Sequence, residues 1–206
     1  MSCIGFDFIW IDTEHGAIDY AELVLMVANA WNGGSAPVVR VTMHDRNHVK
    51  KVLEIGPAGI IFPMLDTAEE VDTAIQSTLY PPEGNRGFGP LRAVRYGLDD
   101  DLEYLAKANQ SLCRFIQQET AAAIENLPTF VHHPYIDGFI FGPCGLANSI
   151  NCPGDLYNEK VLQLVRQAAT LIQPTGKRIG VCLGGAAREQ LQLWQSLGCS
   201  WFCLGN

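Results

Sequence analysis

A chain of 206 residues that is 48% hydrophobic and 17% charged can bury a substantial core, and it is expected to form one domain over 1–206. Its net charge of −8 supplies no basic stripe for a phosphate backbone, which excludes nucleic acid as a partner. No apolar run reaches the roughly 18 residues of a membrane span, and the start lacks a signal peptide's basic opening, so a cytoplasmic protein away from membranes is expected.

In chain order, FDFIWID (6–12) reads as a strand, and Asp19 opens a helix through Ala30. PVVRV (37–41) is the second strand; Asp45 then precedes the helical HVKKVLEIG, with Gly56 as its closing C′ glycine. AGIIFPM (58–64) follows, and Thr67 with Glu70 forms a capping box for AEEVDTAIQSTL. YPPEGNRGFGP (80–90) is too rich in Gly and Pro for helix or strand and reads as a long ordered loop, a lid or partner contact. Helix 100–109, strand LCRFIQQ (112–118), helix 120–131 and strand DGFIFG (137–142) come next. Helix 159–173, strand RIGVCL (178–183), helix 186–197 and strand SWFCLG (200–205) complete the pattern.

Nearly continuous apolar strands alternating with helices imply an α/β fold with a parallel sheet. Polar residues at many strand ends favour a (β/α)8 TIM barrel over a doubly wound sheet, whose function gathers at one crevice. Seven strands, an immediate strand at the start and no helix after the last one indicate a barrel lacking pieces at its ends.

Three strand ends carry chemistry. In IDTEHG, Asp12 three residues before His15 can orient an imidazole as a general base; an ordinary polar loop with a capping acid fits the spacing equally. Arg40 interrupts an apolar strand, where a guanidinium needs a small oxyanion or a structural carboxylate such as Asp12 or Glu119. Glu119 suits a hard metal ion or the first turn of a helix, and Gln117 shares its face of the strand. Weaker signals read as ordinary structure. His44 and His48 lack a metalloprotease glutamate, His132-His133 looks like a helix end, and CLGGAA (182–187) is a tight turn without a complete nucleotide fingerprint. The seven cysteines show neither C-x-x-C nor zinc spacing and read as reduced, buried small hydrophobes.

In order, IDTEHG, VVRV, GIIFPM, YPPEGNRGFGP, QQET and DGFIFGP resemble the metal-dependent class II pyruvate aldolases of the 4-hydroxy-2-oxoheptanedioate and 2-dehydro-3-deoxyglucarate aldolase type. The resemblance covers nearly the whole chain. It implies a TIM barrel lacking its first βα unit and last helix here, and a homo-oligomer built from dimers into hexamers. It implies a carbon-carbon lyase that cleaves a 4-hydroxy-2-oxo acid to pyruvate and an aldehyde. His15 with Asp12 would form the base dyad acting through water, and Arg40 would hold the keto oxygen and stabilise the enolate. Gln117, Gly142 and Cys144 would line the pyruvate pocket. Glu119 would ligate a divalent metal, Mg²⁺, Mn²⁺ or Co²⁺, with Zn²⁺ as the softer option.

One position departs from the family pattern. Where it carries a second metal carboxylate after the Gly-Pro, this chain has Gly145. Cys144 turned inward, Asp66 from a neighbouring strand, or binding of an oxo acid without turnover would each answer the loss. The alternative to an active aldolase is therefore an impaired homologue or fragment that binds a small oxo acid or assembles with partners. A lyase for coenzyme A thioesters ranks last, because 14 Lys and Arg residues show no evident nucleotide contacts.

Overall fold

The computed structural model describes residues 5–185 and 187–205. By packing it divides into two compact units, one of residues 1–62 and 72–114 and the other of 63–71 and 115–206.

The first unit is built on β1 (Phe8–Asp12), β2 (Ala36–Arg40) and β3 (Gly59–Phe62), which pair in parallel and in chain order. Register sets Asp12 opposite Arg40 and Arg40 opposite Ile61, so the strand ends align. Helix α1 (Tyr20–Asn32) starts at a full capping box, in which Asp19 accepts from the Glu22 N–H and Glu22 returns the bond to the Asp19 N–H. Helix α2 (Arg46–Glu54) is capped by Asp45, which accepts from the backbone of Asn47 and His48. It closes at Gly56, whose φ of +79° is the left-handed geometry that glycine adopts without strain.

Helix α3 (Ala68–Gln76) begins at the Thr67–Glu70 box, with Glu70 Oε2 accepting from the Thr67 N–H at 2.9 Å. The segment after it is an ordered strap ahead of α4 (Asp101–Ser111), containing a cis Pro81-Pro82 bond. Arg86, 4% exposed, stacks over the Tyr80 ring at 4.4 Å and donates to Tyr104 Oη. Asn109 fixes the start of the strap by bonding both the N–H and the C=O of Tyr80.

The second unit is built on β4 (Cys113–Gln118, from Phe115 on), β5 (Gly138–Phe141), β6 (Arg178–Leu183) and β7 (Trp201–Leu204), again parallel and in chain order. Phe115 stacks on Trp201 with ring centroids 5.2 Å apart, and a Cβ on Gly180 would lie 2.5 Å from the Trp201 ring. A bare backbone at 180 therefore makes room for the indole. Helices α5 (Ala121–Asn126), α6 (Pro143–Ser149), α7 (Glu159–Ile172) and α8 (Arg188–Ser196) follow their strands. Val161, Val165, Ala168 and Ile172 make the fully buried stripe of α7 at helical spacing.

Two expectations change. The helix read over 120–131 stops at Asn126 and tightens to a 3₁₀ turn, Leu127–Thr129, where Pro128 has no N–H to continue the ladder. The segment after Gly142, for which the sequence pattern gave no element, is helix α6, with Pro143 in its first turn, where the missing N–H costs nothing. The start expected for α8 at Ala186 lies outside the described residues. No helix among the described residues is long and apolar enough to cross a membrane.

Candidate active site

In the first unit the end of β1 and the end of β2 form a carboxylate–guanidinium cluster. Arg40 is 8% exposed. Its Nε donates to Asp12 Oδ1 at 2.9 Å and its Nη2 to Asp12 Oδ2 at 2.5 Å, a bidentate fork. Its Nη1 lies 2.9 Å from Glu14 Oε2. The Trp10 ring flanks the guanidinium at 5.3 Å. Thr13 ties the two strands together, donating through both its N–H and its hydroxyl to the Arg40 carbonyl. Burial pushes the Asp12 carboxyl up, but Arg40, through its hydrogen bonds and charge, with the N–H groups of Glu14 and His15, brings it below the ordinary 3.8. Asp12 therefore stays ionised at neutral pH and fixes the arginine.

The imidazole of His15 is placed differently from the dyad that the resemblance implies. Asp12 Oδ1 accepts from the His15 backbone N–H at 3.4 Å, whereas the ring is 76% exposed and its Nε2 lies 3.9 Å from Glu14 Oε2. Glu14, given no role by sequence reasoning, is the carboxylate that lies near both the guanidinium, at 2.9 Å, and the imidazole, at 3.9 Å. The parallel register of Asp12 with Arg40 was the signal that could have located it, since it sets the DTEH turn over the end of β2.

In the second unit Glu119 closes β4 and is 8% exposed. Its Oε1 accepts from the Met64 N–H at 2.8 Å and its Oε2 from Gln117 Nε2 at 2.7 Å. Met64 holds a left-handed φ of +53°, uncommon for a side chain of its size, and this turn aims its N–H at the carboxylate. Gly142 and Gly145 stand against the same group. A Cβ at Gly142 would come within 2.8 Å of Gln117 Nε2, and one at Gly145 within 2.7 Å of Glu119 Cβ and 3.2 Å of Oε2.

Neither answer proposed for the missing carboxylate is arranged as a ligand. Cys144 is exposed, and Asp66 Oδ1 accepts from Thr120 Oγ1 at 2.5 Å, beside the first turn of α5. Among the described residues no three His, Cys, Asp or Glu side chains gather for a metal ion.

The remaining polar signals are structural in their surroundings. His48 accepts or donates at Tyr20 Oη, 2.7 Å from its Nδ1, and burial lowers its pKa. His133 Nδ1 lies 3.2 Å from the Tyr135 N–H.

Parallel strands carrying ionisable groups at their C-terminal ends define an α/β enzyme of the barrel class. The sequence profile of the HpcH/HpaI aldolase/citrate lyase family matches residues 1–193, and the chain belongs to that family. It is 34% identical over 193 residues to a 2-keto-3-deoxy-L-rhamnonate aldolase of Klebsiella pneumoniae subsp. pneumoniae, covering 92% of this chain and 72% of the relative. It is 34% identical over 178 residues to the enzyme of the same name from Salmonella gallinarum, covering 85% of this chain and 66% of the relative. A solved HpcH/HpaI aldolase from Desulfitobacterium hafniense DCB-2 superposes with a TM-score of 0.91 at 25% identity, over 99% of this chain and 78% of that one. The chain shares the α/β fold of that solved aldolase.

Proposed function

We propose that the protein cleaves a 4-hydroxy-2-oxo acid to pyruvate and an aldehyde. The observation that carries this reading is Arg40, a buried guanidinium at a strand end whose orientation two carboxylates fix before any ligand arrives. In retro-aldol cleavage a base takes the proton of the C4 hydroxyl, the C3–C4 bond breaks, and the electron pair passes to the C3–C2–O unit as an enolate. Charge develops on the former keto oxygen, where a prepositioned cation is worth most. Arg40 supplies that charge. His15, exposed to water beside Glu14, relays the hydroxyl proton and later returns one to C3. Gln117, Gly142 and Cys144 shape the pyruvate pocket, Gln117 being held by Glu119.

The divalent cation implied by the family resemblance fits one carboxylate of this chain. Glu119 is oriented by two donors, and a carboxylate has about four lone-pair sites in all, so it can serve as a monodentate ligand, with water and substrate oxygens completing a hard ion's shell. Such an ion, Mg²⁺, Mn²⁺ or Co²⁺, would act as a Lewis acid toward the oxo acid.

The names of the relatives point to a deoxysugar-derived acid of the 2-keto-3-deoxy-L-rhamnonate kind as the first substrate to try. Purified protein with added Mn²⁺, Co²⁺ or Mg²⁺ is expected to release pyruvate from it, and His15→Ala or Arg40→Ala is expected to abolish release. A panel of such acids and metals that yields no pyruvate sinks the proposal. The packing of Gly145 against Glu119 favours a second reading, an impaired homologue that binds pyruvate without turnover; calorimetric pyruvate binding in the absence of cleavage would select it. We further propose a cytoplasmic homo-oligomer built on dimers. Phe88, Leu91, Tyr96, Leu98 and Leu102 support it as exposed large apolar side chains in one segment, and light scattering on the purified protein tests it.

A further inference from the structure

One face of the second unit's sheet carries two thiols side by side. Cys182 on β6 and Cys203 on β7 are partners in the parallel register, with Val181 opposite Phe202 before them and Leu183 opposite Leu204 after. The Gly205 N–H, donating to the Leu183 carbonyl at 3.2 Å, carries the ladder past the pair and pins its register. Residues two apart on a strand share a face, so Cys182 lies on the face of Gly180 and Cys203 on the face of Trp201, where the indole stacks against Phe115. One residue beyond the pairs Gln118 with Phe141 and Phe141 with Val181 stand Glu119, Gly142 and Cys182, so the two thiols end the row of the sheet that begins at Glu119.

Both cysteines are reduced and only half-buried, unlike the buried hydrophobes that their apolar strands suggest. Among the described residues no other two cysteines are strand partners. Neighbouring strands run about 4.7–4.9 Å apart, inside the roughly 4.4–6.8 Å Cα separation that a disulfide spans. Side chains that leave a sheet in parallel must lean together to bring their sulfurs into bonding distance, a distortion that makes such a bond easier to reduce.

We propose that Cys182 and Cys203 form a redox-active dithiol, a modification site that low-molecular-weight disulfides close to an intramolecular bridge and monothiols reopen. One cysteine thiolate attacks a sulfur of the external disulfide, whose S–S bond breaks and whose other half leaves as a thiolate that takes up the proton. The second cysteine then attacks the mixed disulfide and expels the remaining half as a second thiol. The two cysteines lose two electrons and two protons, and the external disulfide gains them. The ladder holds the second thiol beside the first, so this second step is intramolecular at high effective concentration. The dithiol uses none of the residues assigned to cleavage.

The probe is glutathione disulfide. The purified, fully reduced chain is incubated with it, blocked by alkylation, digested without reductant and read by mass spectrometry. The expected product is a peptide joining Cys182 to Cys203, reopened by glutathione, with a ratio of bridge to mixed disulfide at least about tenfold higher in the folded chain than in urea. Cys182→Ser is expected to remove the bridge and leave glutathione on Cys203, whereas Cys113→Ser is expected to leave the bridge unchanged. Mixed disulfides confined to Cys113 and Cys144, a joining of either strand thiol to a different cysteine, a bridge that glutathione does not reopen, or equal ratios in folded and urea-unfolded chain would each overturn the proposal.

Discussion

Replacing Arg40 with leucine removes a buried cation and leaves Asp12 and Glu14 facing each other at the strand ends. Removing one partner of a buried ion pair typically costs about 3–5 kcal/mol. Here the arginine side chain is 9% exposed while the two carboxylates are 30% and 18% exposed, so water reaches the abandoned charges and the lower end applies, about 3 kcal/mol. For a chain of this size that corresponds to a fall of roughly 6–12 °C in melting temperature. Urea titration at pH 7, followed by far-ultraviolet circular dichroism, measures the loss. Adding Asp12→Asn to the leucine variant removes one stranded charge and is expected to recover part of it, a non-additivity that reports direct coupling. A loss under about 1 kcal/mol, or strict additivity of the two changes, would refute the view that Asp12 and Arg40 form a buried, mutually dependent pair.

The other expectations use different parts of the fold. Because the Asp12 pKa is lowered in the folded protein, its contribution to stability is complete above the ordinary 3.8 and is lost as pH falls through the lower folded value. The stability gap between wild type and Asp12→Asn should therefore narrow below pH 3.8 and stay flat above it, as acid titrations of unfolding would show. Phe115→Ala deletes the ring stacked on Trp201 and is expected to cost about 3–4 kcal/mol and to alter indole fluorescence; a loss under about 1 kcal/mol counts against that contact as a core element. Gly145→Ala forces a methyl against Glu119 and should cost about 1–3 kcal/mol by urea titration, while a neutral outcome would show that α6 can move away. Burial pushes the Cys199 thiol up to about 12, so under native conditions an aromatic disulfide reagent should modify exposed Cys113 and Cys144 first and leave Cys199 last.

All seven strands were legible because each is a short β-branched or aromatic run bounded by Gly, Pro or a polar turn, and their ends shift by only a residue or two. Helix starts were legible where a side chain caps them, as Asp19, Asp45 and Thr67 do. Helix α6 was not, because PCGLANS combines Pro, Gly, Asn and Ser in the way turns do. Its glycine answers to the nearness of Glu119, which is a tertiary fact. The same limit applies to the site. The apolar run around Arg40 showed that it must be paired, and Asp12 was one of the two partners weighed. That Glu14 completes the pair, that the His15 ring faces water, and that a backbone N–H from Met64 holds Glu119 depend on register and turn geometry, to which residue type gives no direct access.

The most direct test of the account is the rate of pyruvate formation from 2-keto-3-deoxy-L-rhamnonate and related 4-hydroxy-2-oxo acids by the purified chain with Mn²⁺. The account predicts pyruvate release by the wild type, reduced at least about a hundredfold by Arg40→Met, the scale of losing one charge-stabilising group. Equal rates in wild type and Arg40→Met, or no pyruvate from any acid in the panel, would contradict it.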